Sequence, residues 1–279
     1  METKNKTGIN IPSAIIISAA IIAMAIIYVK KPVEKTQQNK GDSQEITINL
    51  ASVNSTDNIL GNENAPIKIV EYSDPSCPFC KVFNKTMHEI MAKYGASGKV
   101  AWVYRAFPLD TPDANGNILH PNARNESIAI ECAGLVGGKK SFWEYQKKLY
   151  ETTPSVTGQS PNGMDQKLIP IMAKELGIDT VNFAECMNSE KAKSIVNKQA
   201  TSGINANVSG TPTSFFVMDK TINPTSLNFI KNALLQYRIP EDLLYVADDK
   251  KTIVMAGAMP NAMISGIIES LLKYQIQSD

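Results

Sequence analysis

Two cysteines separated by two residues, Cys77 and Cys80, lie in the stretch EYSDPSCPFCKVF. A pair with this spacing supports one of three chemistries: a disulfide that opens and closes, one half of a metal site, or a permanent structural crosslink. The residue types alone do not decide between them. The decision depends on the elements that position the two sulfur atoms, on the compartment and on the other cysteines.

Two predicted strands enclose the cysteine pair. Residues 67–74, IKIVEYSD, form a β-branched run typical of a strand buried on both faces, and residues 99–109 form another strand. Between them, apolar residues recur at helical spacing from Pro78 to about Tyr94, and Gly95 closes the helix. The order strand, helix, strand with short loops predicts a parallel, right-handed βαβ unit.

Cys77 then falls at the N-terminal edge of the helix, with Pro78 in the first-turn position that proline tolerates best. Unpaired backbone N–H groups and the helix dipole stabilise an anion there, so we expect a lowered pKa for the Cys77 thiol. Cys80 lies one turn further on, within reach of a disulfide, and its place inside the helix predicts a buried, less acidic thiol. We therefore expect Cys77 to be the attacking sulfur of a disulfide exchange and Cys80 to be the sulfur that resolves the mixed disulfide.

Two more features accompany the pair. Glu71 interrupts the apolar strand six residues before Cys77, and a buried carboxyl with a raised pKa could transfer a proton to or from Cys80. The alternative is that Glu71 leans out at a strand edge. Far along the chain, Thr211 and Pro212 immediately precede a predicted strand in SGTPTSFF. Proline there indicates a turn, and sequence alone does not determine the isomer of its peptide bond.

The rest of the chain completes an α/β plan. Residues from about 118 to 202 are mostly helical segments separated by Gly and Pro, which predicts a helical insertion. Its predicted helices are 120–137, 140–153, 165–177 and a long one over 179–203. A strand at 210–219, a helix at 226–238, two strands joined by a charged turn within 243–257 and an amphipathic helix at 261–274 follow. The alternating segment EITINL, residues 45–50, predicts one more short strand.

The N-terminal region has a different character. No charged residue occurs between Lys6 and Lys30, and these 23 residues would extend about 35 Å as a helix, enough to cross a bilayer core. The segment is a membrane span or an export signal; four apolar residues after Ala23-Met24-Ala25 favour an uncleaved anchor over a cleaved signal. We predict an anchor with a short cytoplasmic stub at 1–30, a flexible linker at 31–47 and a globular domain at 48–279.

Charge excludes one class of partner. The chain carries 28 basic and 27 acidic side chains, a net charge of +1. That balance gives no electrostatic reason to expect nucleic acid as a partner.

These motifs together resemble a known family. A Cys-Pro-Phe-Cys motif on a strand-to-helix turn, a long helical insertion and Gly-Thr-Pro-Thr before the next strand are similar to the DsbA-like thiol:disulfide oxidoreductases of the thioredoxin superfamily, in their membrane-anchored or exported branch. The resemblance implies a thioredoxin-like α/β fold with a central mixed sheet. It implies that Cys77 is the nucleophile, Cys80 its partner and Glu71 a buried acid. It also implies that Pro212 is a cis-proline packed against the disulfide and that the Thr211 backbone pairs with substrate peptide.

The resemblance extends to the substrate surface and has departures. We expect Pro78 and Phe79, beside the sulfur atoms, to help hold an extended peptide. Phe79 occupies a place where strongly oxidising members often carry histidine, so a charge that could stabilise the thiolate is missing there. Between Asp219 and Lys250 the usual compact hairpin is expanded by an extra predicted helix and strand.

Cys132 and Cys186, 54 residues apart in the predicted insertion, leave alternatives open. An exported compartment favours a structural disulfide, and some relatives in the family have cysteines in similar places. The alternatives are two buried free thiols or a zinc site built from all four cysteines. Zinc is less favoured, because there is no second Cys-x-x-Cys and neither His88 nor His120 has ligand spacing to a cysteine. We assign neither histidine a role.

The sequence thus predicts a membrane-tethered enzyme whose catalytic domain faces the extracytoplasmic side. It would exchange the Cys77–Cys80 disulfide with cysteines of reduced or misfolded exported proteins, most naturally as an oxidase reoxidised by a quinone-linked membrane partner. The disulfide would be its own redox cofactor, with no metal or nucleotide. An isomerase or reductase using the same site is the alternative, and a zinc-stabilised binding module or chaperone is the alternative from another class.

Overall fold

The computed structural model describes residues 48–154 and 163–275. These residues belong to one compact unit, Glu45–Asp279. The predicted anchor at 1–30 and the predicted linker at 31–47 lie outside the described residues, as does the first half of the strand predicted at 45–50. Within the described ranges, the structure has no helix that combines the length and apolar character needed to cross a membrane.

One six-stranded sheet forms the centre of the fold. Its strands are β1 (Asn58–Gly61), β2 (Ile67–Ser73), β3 (Val100–Ala106), β4 (Thr213–Met218), β5 (Leu244–Val246) and β6 (Thr252–Ala256), in the order β1-β3-β2-β4-β6-β5. β2 and β3 are parallel, and the other neighbouring pairs are antiparallel. The predicted mixed sheet and its βαβ unit are confirmed.

Seven α-helices surround the sheet in the described part of the chain. They are α1 (Pro78–Ile90), α2 (Ala123–Thr152), α3 (Leu168–Glu175), α4 (Thr180–Asn188), α5 (Glu190–Asn205), α6 (Pro224–Tyr237) and α7 (Asn261–Gln275). Helices α2 to α5 form the predicted insertion, which ends at Asn205. Helix α6 and strand β5 form the predicted expansion between β4 and β6.

The prediction of a strand at 45–50 is wrong for residues 48–50, the part of it that the structure describes. Ile48 and Leu50 bury part of their side chains against the sheet without joining it, which explains their apolar alternation. The strand that does form in this region is β1, which pairs antiparallel with β3 from Asn58 opposite Tyr104 onward.

Three helix boundaries also differ from the prediction. The last turn of the first helix is a π-helix, Met91–Gly95. The first two insertion helices merge into α2, with a kink at Gly138, whose φ of 81° is a conformation that glycine adopts readily. The long helix predicted over 179–203 is two helices, because the Ser189 side chain accepts a hydrogen bond from the Ala192 backbone N–H and so begins a new one.

Two hydrophobic clusters cover the two faces of the sheet, which is why β2 reads as an unbroken apolar run. Side chains alternate between the faces along a strand. Ile67 and Ile69 belong to the larger cluster, together with Cys77 and Cys80, whereas Val70 and Tyr72 belong to the smaller one. Glu71 has the parity of Ile67 and Ile69, so its carboxyl group enters the same side of the core as the two thiols.

Candidate active site

Cys77 is the N-cap residue of α1, directly before Pro78, as predicted. Its backbone is extended (φ −74°, ψ 122°), and its N–H donates to the Asp74 carbonyl at 3.0 Å. Both Cys77 and Cys80 are free thiols; Cys77 is 4% exposed and Cys80 is fully buried. The Asp74 backbone N–H donates to the Cys80 sulfur at 3.4 Å. The turn therefore brings both sulfur atoms to the same end of β2.

The two thiols differ in acidity. A hydrogen bond from the Cys80 thiol lowers the pKa of Cys77 to about 7, although burial and the Asp74 charge act in the opposite direction. Burial raises the pKa of Cys80 well above its usual value of 9.0, and the neighbouring Cys77 reinforces that rise. Near neutral pH the thiolate therefore resides on Cys77, which is the more nucleophilic and the slightly exposed sulfur.

The loop before β4 brings Thr211 and Pro212 to the cysteine pair across a long separation in sequence. The Thr211–Pro212 peptide bond is cis. The Cys77 thiol donates a hydrogen bond to the Thr211 carbonyl at 3.4 Å, and the Pro212 carbonyl accepts one from Gly257 N–H at 2.7 Å. A backbone carbonyl thus faces the reactive sulfur.

Glu71 is fully buried, so the alternative that it leans out into solvent is wrong. Its Oε2 accepts a hydrogen bond from the Trp102 indole N–H at 2.8 Å. Burial raises the pKa of this carboxyl to about 7, although Ser73 and Trp102 favour its charged form. Its other oxygen, Oε1, has no hydrogen bond of good geometry among the described residues, since the nearby Ser73 hydroxyl pairs with Tyr150 at 2.8 Å. The carboxyl is close enough to Cys80 for its charge to raise that thiol's pKa.

The residues predicted to hold substrate lie around the cysteine pair. Phe79 is 41% exposed, while Pro78 and Thr211 are half-buried. Val82, one turn after Phe79, is also exposed. The first turns of α1 therefore present apolar side chains to solvent next to Cys77.

Cys132 and Cys186 are joined by a disulfide with a sulfur–sulfur distance of 2.09 Å and a Cα–Cα distance of 5.6 Å. The bond links α2 to α4 inside the helical insertion. It leaves Cys77 and Cys80 as the free thiols, and the four cysteines do not form a common site.

Sequence reasoning missed a buried polar group beside the cysteine pair. Asp74 Oδ1 accepts from Ser76 N–H at 2.8 Å, and Asp74 Oδ2 accepts from Leu109 N–H at 2.8 Å and lies 2.8 Å from His120 Nδ1. The only signal in the sequence was the acidic residue three positions before Cys77. His120 precedes Pro121 at a predicted helix start, a position that by itself gives no sign of a buried charged partner.

A second buried acid, Glu126 on α2, was missed as well. It accepts hydrogen bonds from the Ser76 hydroxyl at 2.7 Å, from Met164 N–H at 3.0 Å and from the Gln166 side chain at 2.9 Å. Burial raises the pKa of Glu126 to about 7, and these hydrogen bonds oppose the rise. The helical insertion is thereby tied to the residue that precedes Cys77.

Comparison with known proteins gives a consistent result. A family model described as thioredoxin matches residues 53–234. The chain is similar to a Rickettsia felis protein named as a protein-disulfide oxidoreductase, with 25% identity over 184 residues, 65% of this chain and 60% of that protein. It is also similar to a Bacillus cereus protein named as disulfide bond formation protein D, with 27% identity over 219 residues, 78% of this chain and 89% of that protein.

A solved structure shares the fold. Wolbachia pipientis α-DsbA1 superposes with a TM-score of 0.58 at 19% identity, covering 82% of this chain and 98% of that chain. The chain spans only 60% of the length of the Rickettsia felis protein.

Proposed function

We propose, since the chain belongs to the thioredoxin family, that Cys77 and Cys80 exchange a disulfide with the cysteines of other proteins. The observation that carries this proposal is the pairing of a slightly exposed thiol, with a pKa of about 7, and a buried thiol of raised pKa one turn away. A nucleophilic sulfur backed by a resolving sulfur is what thiol–disulfide exchange requires. The names of two relatives, a protein-disulfide oxidoreductase and a disulfide bond formation protein, support the same reaction.

In the oxidising direction, a substrate thiolate attacks the Cys77 sulfur of the oxidised pair. The new sulfur–sulfur bond forms as the Cys77–Cys80 bond breaks, and Cys80 leaves as a thiolate. A second substrate thiolate then attacks the substrate sulfur of the mixed disulfide, and Cys77 leaves. Two electrons pass from the substrate thiols to the pair, and the two substrate protons are released to the solvent or to the new thiols.

Glu71 has a specific place in these steps. Cys80 leaves as a thiolate in a fully buried position where its charge is unfavourable, so it must take up a proton. A carboxyl with a pKa of about 7 is about half protonated at neutral pH and can supply that proton. When the pair is reoxidised, the same carboxylate takes the proton back.

The favoured direction is oxidation of exported proteins. A thiolate stabilised on Cys77 stabilises the reduced protein, which makes the disulfide more oxidising. The Cys132–Cys186 disulfide supports an extracytoplasmic location, because structural disulfides persist in oxidising compartments. The uncharged run before Lys30 supports a membrane anchor, next to which a quinone-linked partner could reoxidise the pair. Isomerase or reductase activity at the same site remains the second direction to test.

Trapping distinguishes the roles of the two sulfur atoms. In Cys80→Ser the Cys77 thiolate attacks a disulfide of an oxidised, misfolded protein, one substrate sulfur leaves as a thiolate, and the mixed disulfide cannot be reversed by Cys80, so we expect it to accumulate on non-reducing gels. Cys77→Ser should form none, and the double variant Cys132→Ala with Cys186→Ala should behave like the unaltered protein. Exchange at an undiminished rate in Cys77→Ser would refute the proposal. A reduction potential near that of glutathione or below would favour the isomerase or reductase.

A further inference from the structure

The Asp74 carboxylate lies in the turn that carries both thiols, and its surroundings are unusual for a charged group. Its side chain is fully buried. Two backbone N–H groups, from Ser76 and Leu109, donate to it, and His120 is the cationic side chain that pairs with it, at 2.8 Å. A buried carboxylate is costly unless it is hydrogen-bonded and paired with a charge.

This carboxylate creates a difficulty for the reaction. Asp74 is three residues before Cys77 in the same buried turn, and its backbone N–H touches the Cys80 sulfur. A thiolate on Cys77 therefore places a second negative charge close to the first, and like charges in a low-dielectric region repel. Phe79, between the two cysteines, provides no charge that could offset the repulsion. A cation must come from elsewhere in the fold.

We infer that His120 is a positioning residue for the exchange reaction: its imidazolium, bound to Asp74 Oδ2, neutralises the buried carboxylate and thereby allows the thiolate to form on Cys77. The inference rests on the function proposed above. His120 comes from the loop before α2, and its backbone is fixed by hydrogen bonds from His120 N–H to the Leu109 carbonyl at 3.0 Å and from Ala123 N–H to the His120 carbonyl at 3.1 Å. The side chain is 7% exposed, so its charge is weakly screened.

The acidic groups around the imidazole of His120 all favour its charged form. Asp74 from the β2–α1 turn, Cys77 from the start of α1 and Glu126 from α2 are the acidic groups that face it. Although burial opposes the charged form, the hydrogen bond and charge of Asp74, followed by Cys77 and Glu126, raise the pKa of His120. The imidazolium and the Cys77 thiolate therefore favour one another.

Titration of the reduced protein tests the inference without any substrate. Thiolate ultraviolet absorbance as a function of pH should show that His120→Gln raises the pKa of Cys77 by about one pH unit, the lower end of the effect of a nearby charge. The disulfide should become about threefold less oxidising, about 15 mV, when measured at about pH 7.5, where Cys77 ionises while His120 is still charged, and nearly unchanged at about pH 6, where Cys77 is protonated in both proteins. The difference should fade again at alkaline pH, where the imidazolium loses its proton. A purely structural loss would not follow this pH profile.

A second substitution isolates the charge on Asp74. In Asp74→Asn the carboxylate is absent, so adding His120→Gln should leave the pKa of Cys77 within about a third of a pH unit of the single Asp74→Asn protein. If His120→Gln changes the pKa of Cys77 equally with and without the Asp74→Asn substitution, or changes it in neither protein, the inference is overturned. His88→Gln is the matched control, because His88 packs edge-on against Trp102, whereas the histidine that pairs with Asp74 is His120.

The unaltered protein provides a test that does not depend on the folding of a variant. His88 and His120 are the two histidines of the chain, so NMR titration can follow both, with His88→Gln giving the assignment. The pKa of His120 should be higher in the reduced than in the oxidised protein by about one pH unit, because coupling between two sites is reciprocal. An identical pKa in both redox states would overturn the inference. Neither titration uses a substrate, so each result stands apart from success or failure of the exchange assay.

Discussion

Replacing Glu71 with glutamine separates what this residue does for stability from what it does for the reaction. Glutamine has the shape of a protonated carboxyl, and its oxygen can accept the hydrogen bond that Trp102 Nε1 donates to Glu71 at 2.8 Å. Its NH2 group would take the place of Oε1, which has no hydrogen bond of good geometry among the described residues. We therefore expect Glu71→Gln to fold, to be more stable than the unaltered protein at alkaline pH, and to exchange disulfides more slowly.

The magnitude follows from the pKa of Glu71, which burial raises from 4.5 to about 7. This acid is neutral in the folded protein over a range where it is ionised in the unfolded chain. Its contribution to stability is therefore complete below pH 4.5 and is lost as the pH rises through about 7. The loss amounts to about 3 kcal/mol above the native pKa, about 2 kcal/mol at pH about 6 and about 1 kcal/mol at pH about 5. Glutamine does not ionise, so its advantage should grow with pH over the same range.

Urea denaturation of the oxidised protein at several pH values measures this advantage, since the cysteines do not titrate when they form a disulfide. The charge of Cys77 is the smallest of the causes that raise the pKa of Glu71, so the oxidised form preserves most of the effect. Glu185→Gln is a control, because Glu185 is exposed on α4 and its replacement should change stability little at any pH. A stability difference that does not grow with pH would refute the argument that burial holds this carboxyl neutral.

Three further outcomes are expected. The alkylation rate of reduced Cys77 should show a midpoint near pH 7, against 9.0 for an ordinary thiol, while Cys80 stays protected. Mass spectrometry over a pH series measures this rate, and a midpoint near 9 would contradict the expectation. Phe79→His should lower the Cys77 midpoint by at least about one pH unit through an added positive charge, whereas Phe79→Leu should not. Replacing both Cys132 and Cys186 by alanine should reduce the free energy of unfolding by about 4 kcal/mol, with exchange activity retained; an unchanged urea midpoint would contradict this.

The parts of the fold that local patterns determine were predictable. β2, α1 and β3 each carry a periodicity or a β-branched run that needs no knowledge of distant residues, and the position of Cys77 at the start of α1 follows from them. β1 was missed because NILG has no alternation of its own, and its extended backbone depends on pairing with β3. The break at Ser189 was missed because helical periodicity continues across it.

The chemistry of the site was only partly predictable for a related reason. Glu71 was recognisable because it lies on the buried strand that leads directly to Cys77, so both its burial and its closeness to the thiols could be expected. Asp74 and His120 are 46 residues apart, and their contact arises from how the loop before α2 packs against the β2–α1 turn. No local pattern encodes such a contact. The electrostatic setting of Cys77 therefore needed the three-dimensional structure.

The near-complete burial of Cys77, at 4% exposed, limits which molecules can reach it at all. If the exchange proposed above takes place, a cysteine fixed on the surface of a folded domain would have less access to a sulfur buried beside the Thr211 carbonyl than a cysteine in an unfolded segment. Each substrate protein would then stop reacting with Cys77 as it folds. Its folding rate, rather than a recognition sequence, would set how long it remains a substrate.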